Sequence, residues 1–291
     1  MDYAALVFIN ILYIIASLAL VSAGLAIVFG MMRVVNLAHG EFVMLGGYTT
    51  YFCVSRHVDI YLAMLVIAPL VVGIIGLIAE RAIVQFLYGR LIDTMLATWG
   101  LSLLLVGAVT MIFGPSTVGV PVPIPAYELG ASKLAMSGYN LFVIAVAVLV
   151  MFALWMVLRY TRVGLIARGA MQSAEVLSSL GYNPSIVYML TFTVGAALSG
   201  LAGGVLAPVI ALEPATTGGI FIAKAFITVI TGGASVIAGT VSAAAIFGTV
   251  NQALSFGFNP VVGELGVFAL AIVLLRLMPQ GITGRFFRGS T

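Results

Sequence analysis

The chain reads as an all-α, polytopic integral membrane protein with about eight or nine transmembrane helices. Of its 291 residues, 63% are hydrophobic and only 7% are charged, and the mean hydropathy is +1.24. That lies well beyond the composition of a soluble domain. Twelve basic and nine acidic side chains could not cover the surface of a water-soluble molecule this large. The apolar residues come in unbroken runs of roughly twenty, the length a helix needs to cross about 30 Å of hydrocarbon. A barrel would alternate polar and apolar positions in segments of about ten. In lipid the backbone must satisfy itself, which leaves helices.

The runs fall near residues 4–29, 37–55, 60–79, 94–113, 139–158, 184–210, 219–232, 236–255 and 262–278. The first follows Asp2 without a basic n-region and exceeds the apolar core of a signal peptide, so it reads as a retained span. The seventh is short. "TGGASV", residues 231–236, fits either a tight turn between two spans or an unwound break in one. All of 1–291 reads as a single transmembrane domain.

Net charge is +3 and the isoelectric point near 9.1. The basic residues sit at span ends, where they report topology rather than affinity for nucleic acid. With the N-terminus outside and nine spans, Arg33, Arg81, Arg90, Arg159, Arg162, Arg168, Arg276, Arg285 and Arg288 all fall on the cytoplasmic side, with the C-terminus. Arg56, Lys133 and Lys224 are left for the other side or its boundary. Trp155, just before Arg159, suits an aromatic belt. On the outer side, residues 114–138 carry Pro115, Pro121, Pro123 and Pro125, which exclude a continuous helix. That segment is a surface connector or a docking surface for an external protein. The lone Cys53 excludes an intrachain disulfide and reads as a small packing residue.

Between spans five and six lies a loop, at about 159–184, that looks like a short amphipathic helix. Ala170, Ala174, Leu177 and Leu180 form one apolar stripe, while Arg168, Gln172, Glu175 and Ser179 point elsewhere. Gly181 is a left-handed stop, and Asn183 with Pro184 caps and opens the next span. Such a helix rests on lipid headgroups or fits a groove on a soluble partner and transmits its motion. In span six, Ala196, Gly200 and Gly204 recur every fourth residue beside a row of Ser199 and Gly203. Small residues let helices approach closely in lipid, within the chain or against a partner.

One stretch, "VVNLAHGEF", places Asn36, His39 and Glu41 at the cytoplasmic start of span two. Asn36 can cap the helix, and Glu41 lies near the positive end of its dipole. Asn36, His39 and Gly40 share one face and Glu41 another, so a single metal cluster is poorly aligned. The only other histidine, His57, lies outside, which argues against zinc. The triplet either ties the helix start to its neighbours, or lines or gates the inner end of a path. Arg33 is the nearest candidate partner for Glu41.

The motifs "GLAIVFGMMRVVNLAHGEFVMLGGY" (24–48), "FTVGAALSGLAGGVLAP" (192–208) and "AFITVITGGASVIAGTVSAAAIFG" (225–248) together resemble the LivH-type permeases of branched-chain amino acid ABC importers. The likeness covers nearly the whole chain, although Ala234 stands where such permeases more often carry glycine. It implies the ABC-importer permease fold. It also makes the loop a coupling helix, with Ala174, Glu175 and Gly181 as its marks and Arg168 upstream. The implied partners are a second permease subunit of LivM type, two cytoplasmic ATP-binding subunits and an extracellular or periplasmic solute-binding protein. The implied home is the bacterial inner membrane. The chain contains no GxxxxGK[ST] loop, so ATP would be bound by the partner subunits and this subunit would hold no cofactor and no catalytic residue. Permeases for urea and short amides share these motifs. A rival from another class is a proton-coupled carrier or channel titrating through Glu41, His39 or Glu264; such carriers usually show two related halves, and no internal repeat stands out here.

Overall fold

The computed structural model describes residues 2–129, 134–172, 174–179, 181–233 and 235–286. Lys133, Ser173, Leu180, Ala234 and Arg288 lie outside them, and for Gln172, Ala174 and Arg285 only the backbone is described. The helices follow the apolar runs: α1 Asp2–Met32, α2 His39–Ser55, α3 Ile60–Leu62, α4 Ala68–Ala82, α5 Leu91–Phe113, α6 Gly138–Tyr160, α7 Arg162–Gln172 and α8 Ala174–Ser179. Then come α9 Pro184–Leu206, α10 Thr217–Gly232, α11 Val236–Gly257, α12 Pro260–Leu277 and α13 Gly281–Phe286. A π-helical stretch, Ala63–Ile67, joins α3 to α4 in one rod, and the Ala68 N–H bonds back to the Ala63 carbonyl. Pro69 follows at once, and its missing N–H makes this the natural place for such a bulge.

Seven segments are long and apolar enough to cross a membrane. The chain is thus a multi-pass membrane protein. The remaining two runs form short helices, 17 residues in the less apolar α2 and 16 in the apolar α10. The expected eight or nine crossings are therefore seven full-length helices and two short ones. "TGGASV" divides two helices: α10 ends at Gly232, and Gly233 turns the chain with φ +82°.

At one end of the bundle lie the arginine-bearing termini of α1, α4, α6 and α12. Contacts across the bundle group them: Gly30 against Val236, the Tyr88 and Tyr188 rings at 5.2 Å, and Gly233 against Gly281. The opposite end carries two short strands beside the helices, which leave the chain all-α in class. After its prolines, the 114–138 segment forms a two-stranded antiparallel hairpin, β1 Ala126–Leu129 with β2 Leu134–Ser137, pairing Ala126 with Ser137. Upstream, Val118 and Leu212 exchange two backbone hydrogen bonds of 2.9 Å. These fasten the segment to the link between α9 and α10.

Helix α9 is the axis of the packing. Its Ala196, Gly200 and Gly204 row faces the α3–α4 rod. A methyl on Gly76 would strike Ala196, one on Gly200 would strike Val72, and one on Gly204 would come within 3.0 Å of the Met64 carbonyl. Its Ser199 and Gly203 row faces α1 and α2 instead, with Gly203 against the Val43 carbonyl. Backbones this close forgo large side chains, and dispersion over many small contacts replaces them.

Candidate functional site

The central feature is the way α2 and α10 begin. After α1 the chain does not cross to a new helix at the arginine-rich end. Arg33 adopts φ +51° and stays exposed, while Val34, Val35, Asn36 and Ala38 run back into the interior as buried, non-helical chain. The Thr98 side chain of α5 receives this link, accepting from the Leu37 N–H at 3.1 Å. Helix α2 therefore starts deep in the bundle rather than at its arginine-rich end, where the sequence places it. His39 Nε2 lies 2.8 Å from the Val21 carbonyl, midway along α1. Glu41 accepts a 3.0 Å hydrogen bond from Ser102, midway along α5. From this level α2 runs toward the hairpin end, where Tyr48 meets Phe113. Helix α10 starts beside it, where a methyl on Gly40 would fall on the Gly218 carbonyl and near the Ile222 nitrogen, and runs the other way, to end where Gly233 meets Gly281 at the arginine-rich end.

The three sequence-singled residues part company here. Asn36 is not the N-cap: Ala38 occupies that position, with no side-chain cap. Asn36 Oδ1 instead accepts from the Ala38 N–H at 3.0 Å and holds the turn into the helix. His39 bridges α1 and α9, since its Nδ1 lies 3.1 Å from Ser199 Oγ. The Val21 carbonyl only accepts, so Nε2 carries the hydrogen, and Nδ1 shares the single Ser199 hydroxyl hydrogen with the Gly195 carbonyl, 2.8 Å from Oγ. Glu41 points away from His39, toward α5 and α10, and Arg33 is not its partner; among the described residues the ion pairs are Arg81–Glu80, Arg90–Asp93 and Lys224–Glu264. Its carboxylate lies against Gly218, where a methyl would collide with both oxygens. It thus sits at the third residue of α2 and the second of α10. The positive ends of two helix dipoles share one acidic side chain. Oε1 takes the Ser102 hydroxyl, and Oε2 has no hydrogen-bond partner.

Above this junction opens a cavity of about 360 Å³, walled by α1, α10, α11 and α12. Val21 and Thr217, neighbours of the His39 and Glu41 contacts, line it. In its lining Lys224 of α10 and Glu264 of α12 form an ion pair at 2.6 Å. Nothing in their spacing pairs these two, although a lysine and a glutamate inside apolar runs are a functional signal in themselves. Among the described residues no three His, Cys, Asp or Glu side chains gather as a metal site would require.

At the arginine-rich end, α7 and α8 lie against the bundle. Ala167 packs with Ile27 and Met31, and Ala170 and Leu177 are buried as well. Arg168, Glu175 and Ser179 face outward, joined by exposed Val163 and Leu165. Gly181 has φ +83°, and Tyr182 N–H reaches back to the Leu177 carbonyl. Asn183 Oδ1 accepts from Ser185 N–H at 3.0 Å, and Pro184 begins α9. The local signals for this stop and restart are legible in four consecutive residues.

Seven long apolar helices, two short ones meeting inside, and a mostly apolar cavity beside that junction are the frame of a multi-pass membrane protein. The family model described as "Branched-chain amino acid transport system / permease component" matches residues 7–278. The chain belongs to that family of transport-system permease components. It is 28% identical over 287 residues to the high-affinity branched-chain amino acid transport system permease protein LivH of Salmonella typhimurium, covering 92% of this chain and 91% of that one. LivH of Escherichia coli K12 is also 28% identical, over 92% and 91% of the two chains. The corresponding protein BraD of Pseudomonas aeruginosa is 27% identical over 95% and 94%. No solved structure matches the chain.

Proposed function

We propose that this chain is a path-forming subunit of an ATP-driven importer for branched-chain and related hydrophobic amino acids. The names of its relatives support the solute class. The reading of the mechanism rests on one observation, the α7–α8 segment. That segment is anchored by small and apolar residues on α1, ends in a rigid Gly181–Pro184 corner, and turns Arg168 and Glu175 outward. A surface so held moves with the helices to which it is tied, as a coupling element must. The partners are a second permease of LivM type, two cytoplasmic ATP-binding subunits, and a solute-binding protein outside the membrane. The arginine-rich end faces the cytoplasm of a bacterial cell, by the positive-inside rule. On this reading α7 and α8 lie on the side of the ATP-binding subunits, with the N-terminus outside and the C-terminus within.

The test uses the complete assembly in liposomes. Leucine uptake should need ATP, stop with vanadate and survive collapse of the proton gradient. The double substitution Glu175→Ala, Gly181→Leu should leave the protein in the membrane while separating ATP hydrolysis from uptake. Normal uptake by that variant would remove the coupling assignment. Uptake that followed the proton gradient and ignored vanadate would remove the ATP-driven reading altogether.

A further inference from the structure

The Lys224–Glu264 pair stands out because it spends two charges where the chain otherwise avoids them. Lys224 is the eighth residue of a 16-residue apolar helix, and Glu264 lies in the first half of α12. Neither side chain is sealed in protein: their relative exposures are 28% and 51%. Ionisable side chains within membrane spans face a cavity or a partner charge and mark solute pathways. Here both conditions are met together, since the two residues pair with each other and line a cavity of about 360 Å³. That volume falls in the range of small-molecule sites, which are mostly apolar with a few placed polar groups. The rest of the lining fits this pattern. Leu18, Phe221, Ile227 and Phe268 give apolar surface, and Thr228 and Asn251 give hydrogen-bonding groups.

We propose that this cavity binds the zwitterionic head of an α-amino acid, its carboxylate on Lys224 and its ammonium on Glu264, with the side chain against the apolar wall. The inference rests on the solute class proposed above and adds to it a place and two recognising residues. The chemistry is an exchange of partners. Without solute, the two side chains neutralise each other. An entering zwitterion presents a negative and a positive group on one carbon, and each takes the opposite member of the pair. Charge balance is kept in both states, so neither binding nor release strands a charge in a poorly solvated site. A solute lacking either head-group charge leaves one member unpaired, and such a site rejects it strongly. Lys224 and Glu264 belong to different helices, so a shift of α10 against α12 would part them. The pair can open and reclose as solute passes.

The probe is thiol labelling in the complete assembly. Ile220 lines the cavity, is 49% exposed and carries no charge, so Ile220→Cys reports occupancy; the natural Cys53 is buried. Leucine should slow maleimide labelling of Ile220→Cys by about tenfold or more when present well above its dissociation constant. The 2-oxo acid of leucine, which lacks the ammonium, and isopentylamine, which lacks the carboxylate, should not slow it. Adding Lys224→Met or Glu264→Gln should abolish the protection, and Lys224→Arg should retain part of it. Leucine that fails to protect Ile220→Cys, in an assembly that takes up leucine, overturns this site alone. Protection that survives both neutralising substitutions, or that the two analogues share, overturns it equally. An assembly that takes up no leucine overturns the proposed solute class and this inference with it.

Discussion

Replacing His39 with alanine tests whether the triplet at the start of α2 is a tie between helices. The imidazole makes two hydrogen bonds in a fully buried site, to the Val21 carbonyl at 2.8 Å and with Ser199 at 3.1 Å. Each is worth about 1 kcal/mol net. The void left by the ring, roughly 60–70 Å³ at about 24 cal/mol per Å³, adds about 1.5 kcal/mol. Loss of stability should therefore come to about 3–4 kcal/mol before any relaxation. His39→Phe fills the space without the bonds and should fall between wild type and alanine. The assay is thermal aggregation of the purified protein in detergent, read by size-exclusion fluorescence, with a double-mutant cycle against Ser199→Ala. That cycle should show a coupling of about 1 kcal/mol, because either single change already removes the shared bond. If His39→Ala kept wild-type thermal stability while uptake collapsed, the ring would line a path rather than join α1 to α9, and this reasoning would fail.

Gly40→Val should be more damaging than its size suggests, because the new side chain meets backbone of α10 rather than a movable side chain. Overpacking of this kind costs about 1–3 kcal/mol, so the variant should melt well below wild type in the same assay. Glu41→Gln keeps the shape of the carboxyl group but removes its charge from the two helix N-termini; uptake should fall if the carboxylate serves the path, and normal uptake would assign it to holding α2 and α10 together. Tyr88→Phe removes the hydroxyl that donates to the buried Glu80 carboxylate. Burial and that carboxylate both raise the tyrosine pKa, so the hydroxyl stays protonated and the bond persists at ordinary alkaline pH. The variant should lose about 1–3 kcal/mol for the acceptor left without its donor, measurable as a lower melting temperature that does not vary between pH 7 and 9.

Much of this molecule is written locally. The period and length of the apolar runs specify helices and a lipid surround, because the hydrocarbon leaves the backbone no other partner than itself. The corner from Leu177 to Pro184 needs only a glycine at positive φ, an asparagine side chain and a proline, all within eight residues. The face that Ala196, Gly200 and Gly204 present follows from helical geometry alone. The depth of α2 does not. Residues 33–38 set Arg33 and Asn36 among four apolar side chains, and nothing local tells a buried extended link from the first turn of a helix. That choice is made by Thr98 of α5, Val21 of α1 and Ser199 of α9, each bonding the link or the helix start from at least 18 residues away. The same holds for Ser102 on Glu41, 61 residues distant, and for Lys224 on Glu264, 40 distant. A charge in an apolar run announces that it needs a partner. Which partner it finds is set by how the helices pack, and that depends on small-residue contacts spread over the whole chain.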